Sequence, residues 1–200
     1  MRIGFDAKRA FSNFTGLGNY SRDTIRVLHE HFPENQYYLF SPKVIYNPRL
    51  EFINHNLKVI SPKGILDKIF PSFWRSKNII KDLRKNKVDL YHGLSHELPI
   101  GIEKTKIKTV VTIHDLIFLR FPNLFTKIDR KIYVKKFRNA CENSDKIIAV
   151  SNQTKKDIIN FFDVEENKIE VIYQGCNKVF KSKRKSSEIL EVKNKFNLFE

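Results

Sequence analysis

The sequence predicts an α/β fold with a doubly wound, mostly parallel sheet of about seven strands flanked by helices. Short apolar runs of strand length alternate with longer segments of helical periodicity, which is typical of consecutive βαβ units. The run at 109–113, Thr-Val-Val-Thr-Ile, is β-branched throughout, as expected for a strand buried on both faces. Polar residues follow several runs, where ligands bind in open α/β sheets.

In the first half of the chain, strands are predicted at 2–6, 36–40, 57–60 and 88–92, and helices at 20–31 and 76–87. The segment 65–75 is strongly apolar and is broken by Pro71. We expect it to form a helix–turn packed on the sheet. The alternative is a partly exposed apolar surface beside lysines that contacts a lipid or an acceptor.

In the second half, strands are predicted at 108–113, 146–150 and 168–173, and helices at 129–143, 151–162 and 188–196. An aromatic loop is expected at 117–128, between the central strand and the long basic helix. Residues 178–187 are basic, contain serine and lack an apolar period, which predicts a linker.

The chain has 200 residues and a net charge of +15, from 37 Lys and Arg against 22 Asp and Glu. Such a charge attracts anions, including nucleic acid, phosphorylated substrates and acidic membranes. The lysines are spread along the whole chain, however, and no RNP-type strand, zinc-finger spacing or arginine-rich arm is present. Nucleic acid is therefore not expected as a partner.

Neither a membrane-spanning apolar run nor a signal peptide is visible in the sequence. Cys141 and Cys176 are too few and too isolated for a disulfide framework, which fits a reducing interior. These features predict a cytoplasmic protein.

The strongest candidate site is the pair His114-Asp115, directly after the central strand. Packing rarely requires charged side chains at the end of a buried strand, so chemistry is one interpretation of the pair. The alternative is that Asp115 caps a following turn and His114 is an interior histidine with satisfied hydrogen bonds.

A second candidate is Gly16-Leu17-Gly18, between the first strand and the first long helix. A strand, a glycine loop and a helix present backbone N–H groups to an anion. Ser21 stands where a third glycine would complete the dinucleotide-binding fingerprint, so that fingerprint is not met. A mobile turn is the alternative.

A third cluster, His92, His96 and Glu97, follows the fourth strand. Histidines four residues apart bind a metal when they lie on a helix, but Gly93 and Pro99 argue against a helix here, and no metal is expected. Ser151 is a helix N-cap candidate, and whether it also contacts a ligand stays open.

Five motifs, in order and at sensible spacing, carry a resemblance to a known family. They are Gly16 to Tyr20, Val88 to His92, Thr112 to Leu116, Asp145 to Ser151 and Val171 to Cys176. Over residues 1–180 the chain resembles the N-terminal half of family 4 glycosyltransferases, which have the GT-B fold with Rossmann-like domains. In detail it is most similar to the mannosyltransferase-type members.

The resemblance implies a two-domain enzyme that transfers a hexose from a nucleotide sugar, with retention of configuration, to a glycan or lipid-linked acceptor. Residues 1–180 would be the acceptor-side domain. Residues 181–200 would be a linker and the first helix of a C-terminal donor-binding domain that is not in this sequence. The chain alone is then expected to be inactive, and peripheral contact with the inner face of the membrane is compatible with it.

The resemblance also implies roles for the candidate residues. Gly16, Leu17 and Gly18 would approach the donor diphosphate, His114 would contact the donor sugar, and Asp115 would orient His114 or the following turn. The acceptor side would be lined by His92, His96 and Glu97. No cofactor and no metal ion are expected. The alternative function is a stand-alone sugar- or nucleotide-binding α/β module without catalysis.

Overall fold

The computed structural model describes residues 1–45, 48–50, 53, 57–176 and 180–198. Within them, seven strands form one sheet in the order β3-β2-β1-β4-β5-β6-β7, and every neighbouring pair is parallel. The strands are β1 Arg2–Asp6, β2 Gln36–Phe40, β3 Leu57–Ile60, β4 Leu90–Gly93, β5 Lys108–Ile113, β6 Lys146–Ala149 and β7 Ile169–Val171. The predicted Rossmann-like α/β fold is confirmed.

Helices lie between several of the strands, and one follows the last strand. They are α1 Lys8–Ser12, α2 Gly16–His31, α3 Ile65–Ile69, α4 Pro71–Phe73, α5 Ile79–Lys85, α6 Ile117–Arg120, α7 Lys127–Asn143, α8 Asn152–Phe162 and α9 Ser186–Phe196. A π-helical turn, Trp74–Asn78, joins α4 to α5. Among the residues that the structure describes, none of these helices is long and apolar enough to cross a bilayer.

The strand order places a topological switch between β1 and β4. The chain builds β2 and β3 on one side of β1 and then crosses to β4 on the other side. In such sheets the crevice for a ligand opens at the carboxyl ends of the strands on either side of the switch. Asp6 ends β1 and Gly93 ends β4, and β5 is the next strand, with His114 directly after it.

The sheet is covered on both faces. Successive side chains of a strand point to opposite faces, and in β2 Tyr37 and Leu39 belong to one buried cluster while Tyr38 and Phe40 belong to the other. Burial on both sides explains the continuous apolar runs that predicted the strands.

Two expectations about connecting segments were wrong. The aromatic segment 117–128 is not a loop, since it holds α6 and a 3-10 turn at Pro122–Leu124. The segment 65–75 does not pack on the sheet as a whole, because only Trp74 is buried and large apolar side chains before it are exposed. Within the predicted linker at 178–187, residues 178–179 lie outside the described part of the chain.

Candidate active site

His114 lies at the carboxyl edge of the sheet and is half-buried. Both of its backbone polar groups are held by neighbouring elements. Its carbonyl accepts a hydrogen bond from Thr154 Oγ1 in α8 at 3.0 Å, and its N–H donates to Nδ1 of His96 at 3.3 Å. The position of the His114 backbone is therefore fixed from two sides.

The His114 ring has a defined tautomer. Nε2 lies 3.0 Å from the Leu94 carbonyl oxygen, which can only accept, so Nε2 carries the proton. Nδ1 lies 3.2 Å from Nε2 of the Gln174 amide, which donates. Gln174 follows β7 and was not among the predicted site residues. The lone pair of Nδ1 thus faces an exposed side chain that a bound hydroxyl could replace.

Two ring contacts connect His114 with its surroundings, and a third extends from one of its partners. The Tyr20 ring of α2 meets it edge-on at 4.6 Å, and the His96 ring does so at 5.0 Å. His96 in turn stacks on Phe137 of α7 at 4.4 Å. Tyr20 lies two residues after Gly18, so the glycine turn and His114 lie close together.

His92 is not a lining residue, and this part of the prediction was wrong. Its side chain is only 5% exposed because β4 extends one residue further than predicted and keeps His92 within the sheet. His92 Nε2 is hydrogen-bonded to Thr112 Oγ1 at 2.9 Å, and that hydroxyl to the Tyr20 hydroxyl at 3.0 Å. His92 therefore stabilises the site through this chain of hydrogen bonds and does not line it.

Burial keeps the histidines of the site neutral near pH 7. It lowers the pKa of His92 to about 4, with a smaller effect of His114 in the same direction. Burial also lowers the pKa of His96 well below its usual range, helped by His114 and Arg9. The pKa of His114 is lowered by burial as well, against the opposing effects of the Leu94 carbonyl and Asp115.

These shifts predict that stability falls in mild acid. Because the folded state holds His92 neutral, its contribution is fully present above about pH 6.5 and is lost as the pH falls from there toward 4. The lowered pKa of His96 acts in the same direction. The free energy of unfolding should fall by about 1.4 kcal/mol per pH unit for His92 in that range. Urea unfolding at several pH values measures the slope.

The His92→Gln variant should show a clearly shallower slope than the wild-type protein. His31→Gln, at the exposed end of α2, is the matched control and should keep the wild-type slope. Equal slopes for all three proteins would contradict the assignment of a buried, neutral His92.

The two glycines of the predicted loop lie in the first turn of α2. This helix begins at Gly16, four residues before its predicted start. The Asn13 side chain caps this turn, since its Oδ1 accepts from the Gly18 N–H at 3.1 Å. Arg22 is buried and donates to the Asn13 carbonyl at 2.8 Å, which holds that carbonyl against the turn. Ser21, at the missing third glycine, is buried and donates to the Leu17 carbonyl.

The glycines have different roles. A Cβ atom on Gly18 would lie 1.8 Å from the Asn13 carbonyl oxygen, so this position needs glycine for packing within the turn. A Cβ on Gly16 would meet no atom within 4 Å. Gly16 is exposed, and the N–H groups of the first helical turn have no partner within the helix itself. Gly16 and Leu17 therefore form the open part of the turn.

Gly18→Ala is expected to destabilise the chain by about 2 kcal/mol or more, because the new methyl group collides with fixed backbone. Gly16→Ala should be neutral or slightly stabilising, since Ala is favoured over Gly in a helix. Thermal or urea unfolding of the two variants measures the difference. Equal stability of the two variants would exclude the clash at Gly18.

Asp115 and Ser151 both act as local caps. Asp115 Oδ1 accepts from the Ile117 N–H at 3.3 Å where α6 begins. Of its two predicted roles, orienting His114 or orienting the following turn, this contact favours the second. Ser151 Oγ accepts from the Thr154 N–H at 3.0 Å, which confirms the predicted N-cap of α8. Thr154, whose N–H is bound by this cap, also donates from its hydroxyl to the His114 carbonyl.

An ion-pair network that was not predicted lies beside the histidines. Arg75 donates from Nε to both carboxylate oxygens of Asp6, at 3.0 and 3.1 Å, and from a terminal nitrogen to Glu97 at 2.7 Å. Lys136 of α7 reaches the other oxygen of Glu97 at 3.2 Å. Burial by itself lowers the pKa of Arg75, but Asp6 and Glu97 outweigh it and raise the pKa above its usual value.

Within the described residues, no group of three or more His, Cys, Asp or Glu side chains is arranged to hold a metal ion. Glu97 is occupied by Arg75 and Lys136, and His92 and His96 hydrogen-bond to Thr112 and to backbone. Each residue of the predicted acceptor-side cluster thus has a hydrogen-bond or ion-pair partner within the protein.

A family model described as Glycosyltransferase Family 4 matches residues 14–178. The match includes the glycine turn, the histidine cluster and Gln174. This chain belongs to Glycosyltransferase Family 4. A search of curated protein sequences finds no significant match.

Solved structures of other proteins contain a domain with the same fold as this family 4 domain. A glycosyltransferase from Rickettsia africae aligns over the whole chain with a TM-score of 0.57 and 17% identity. Anabaena Alr3699/HepE, in complex with UDP and glucose, aligns over 98% of the chain with a TM-score of 0.61 and 13% identity. The chain covers 50% of the length of each of these proteins.

The wall teichoic acid polymerase TagF is a third structure with this fold. It aligns over 98% of the chain with a TM-score of 0.52 and 13% identity, and the chain covers 44% of it. At these identities the likeness establishes the GT-B-like fold of the family 4 domain, which spans about half the length of the proteins it matches.

Proposed function

We propose that this chain is the N-terminal, acceptor-side half of a retaining glycosyltransferase that transfers a hexose from a nucleotide sugar to a glycan or lipid-linked acceptor. The observation that carries the proposal is the position of His114, beside the glycine turn of α2, at the carboxyl edge of a family 4 domain. This is where ligands bind in open parallel sheets.

His114 orients the donor sugar. Its neutral ring has a lone pair on Nδ1 directed at the Gln174 amide, and a sugar hydroxyl that displaces Gln174 would donate to the same lone pair. Because its pKa is lowered, His114 is poorly suited to neutralise the charge of a leaving diphosphate. We therefore assign it a positioning contact with the sugar and not a charge-countering role.

The leaving diphosphate meets the first turn of α2. Gly16 and Leu17 present N–H groups there, and the helix dipole favours negative charge at this end. The open space around Gly16 lets phosphate approach the backbone closely. Diphosphate leaves readily once its charge is countered, and helix termini with basic side chains supply that without a metal ion. We propose that no metal or cofactor is required.

The acceptor binds on the side of His96 and Glu97. His96 is fixed by its stacking on Phe137 and by the His114 N–H, and Glu97 by Arg75 and Lys136, so both present a rigid polar surface. A lipid-linked acceptor would place the enzyme at the cytoplasmic face of a membrane. Mannose is the hexose that we propose first, from the motif details.

The rival function is a stand-alone module that binds sugar or nucleotide without catalysis. Calorimetric titration of the 200-residue chain with UDP, GDP and their sugars separates the two. We expect dissociation constants weaker than about 1 mM and no sugar transfer, since most contacts to the donor would come from a second domain. Micromolar binding by this chain alone would support the rival.

A further inference from the structure

One surface of the described chain exposes more apolar side chain than its fold requires. The segment of α3 and α4 presents five large apolar side chains that are between 51% and 78% exposed, namely Ile65, Leu66, Ile69, Phe70 and Phe73. We call these five residues the apolar face. Single exposed apolar residues are common on proteins, but five within nine positions form a contiguous patch of the kind that marks a binding surface.

The apolar face is ordered by contacts behind it. Ile65, Leu66 and Ile69 lie in α3, Phe70 joins α3 to α4, and Phe73 lies in α4. Trp74 is fully buried, and its indole N–H donates to Asp82 at 2.7 Å. The Asn78 amide donates to Asp67 at 2.7 Å, on the other side of α3. The face therefore points outward from a fixed segment.

Positive charge surrounds the apolar face. Lys63, Lys68 and Lys77 flank it and are exposed, while the acidic residue within it, Asp67, is bonded to Asn78. Apolar side chains bordered by lysines match the chemistry of an anionic bilayer surface, where acyl chains lie beneath negative headgroups. A second copy of the chain fits less well, because pairing two such faces would bring like charges together.

The apolar face lies beside the candidate active site. It follows β3 and leads directly to Arg75, two residues after Phe73, and Arg75 binds Asp6 and Glu97 at the carboxyl edge of the sheet. Leu124 and Ile128, which are also highly exposed, follow β5 on the same edge. They precede Lys136 in the chain, which shares Glu97 with Arg75. Each apolar group therefore precedes, in the chain, a cation that pairs with Glu97.

We propose that the apolar face docks the protein onto an anionic membrane, with its side chains among the acyl chains and Lys63, Lys68 and Lys77 at the headgroups. This orientation turns the acceptor side of the site toward the bilayer. The inference deepens the proposed function by naming the surface that meets the membrane, but lipid binding can be measured without sugar transfer.

The test is co-sedimentation of the 200-residue chain with vesicles of phosphatidylcholine, with and without phosphatidylglycerol. We expect binding that requires phosphatidylglycerol and weakens with salt. The Leu66→Gln/Phe70→Gln variant should bind about ten-fold more weakly or worse, because two side chains no longer enter the acyl region. Its fold is checked by circular dichroism, and the exposure of both positions makes misfolding unexpected.

The matched control is Val27→Gln/Phe32→Gln, at the far end of α2 near the opposite edge of the sheet, where the two side chains are 41% and 50% exposed. It should bind vesicles as the wild-type chain does. Equal binding by both variants, or an equal loss in both, would overturn the proposal. So would size-exclusion data in which the wild-type chain is a dimer and Leu66→Gln/Phe70→Gln is a monomer, since the face would then join two copies. None of these results would bear on the role of His114.

Discussion

Replacing His114 by alanine is expected to lower turnover by about two orders of magnitude or more in the two-domain enzyme that we propose, the scale for losing one positioned polar group at a reacting centre. The ring is held by Leu94, Gln174 and the edge contact with Tyr20, so its Nδ1 is placed before substrate arrives. Initial rates of sugar transfer from the nucleotide sugar measure the effect.

Two further variants separate positioning from a general loss of structure. His114→Asn can offer an amide oxygen near the place of Nδ1, and we expect it to retain more turnover than the alanine variant. His31→Ala removes an exposed histidine at the end of α2 and should leave turnover unchanged. Near-normal turnover of a folded His114→Ala enzyme would remove His114 from the site.

Replacing Arg75 by methionine is expected to destabilise the chain by about 3–5 kcal/mol, the usual cost of removing one partner from a buried ion pair. Asp6 is only 3% exposed, and Arg75 is its ion-pair partner. Glu97 would keep Lys136, so the uncompensated charge falls on Asp6. Urea unfolding with a fitted slope gives the change in the free energy of unfolding.

The control for Arg75 is Arg26→Met on α2. Arg26 pairs with Asp23 and Glu30 at the partly exposed surface of the helix, where each such pair contributes about 0.5 kcal/mol. The double variant Asp6→Asn/Arg75→Met should recover part of the stability, because it removes the stranded charge. If Arg75→Met costs no more than Arg26→Met, the network does not stabilise the fold.

Hydrophobic periodicity was sufficient to predict most of the fold. The predicted bounds of β1, β2, β3 and β5 match the structure, because each is a short apolar run that ends at polar or turn residues. The start of α2 was missed because Gly16 and Gly18 are poor helix formers and the cap comes from Asn13, outside the usual N-cap position.

The proximity of His114 and the glycine turn could be predicted from topology, whereas their roles stay a prediction. The rule that parallel strands present their carboxyl ends at one edge brought His114 and the glycine turn together. Gln174 and Arg75 were missed because their partners lie 60 and 69 residues away in the chain, and only the folded sheet brings them close. Asp6 carried a usable signal, since it is the polar residue that ends β1.

The central claim is that the edge containing His114 and the Gly16 turn is one wall of a sugar-transfer cleft. A crystal structure of the proposed two-domain enzyme with a nucleotide sugar tests it most directly. We predict that a sugar hydroxyl lies within hydrogen-bonding distance of His114 Nδ1, with Gln174 displaced and the diphosphate against the first turn of α2. A donor bound away from this edge, with the contact between Gln174 and His114 intact, would contradict the account.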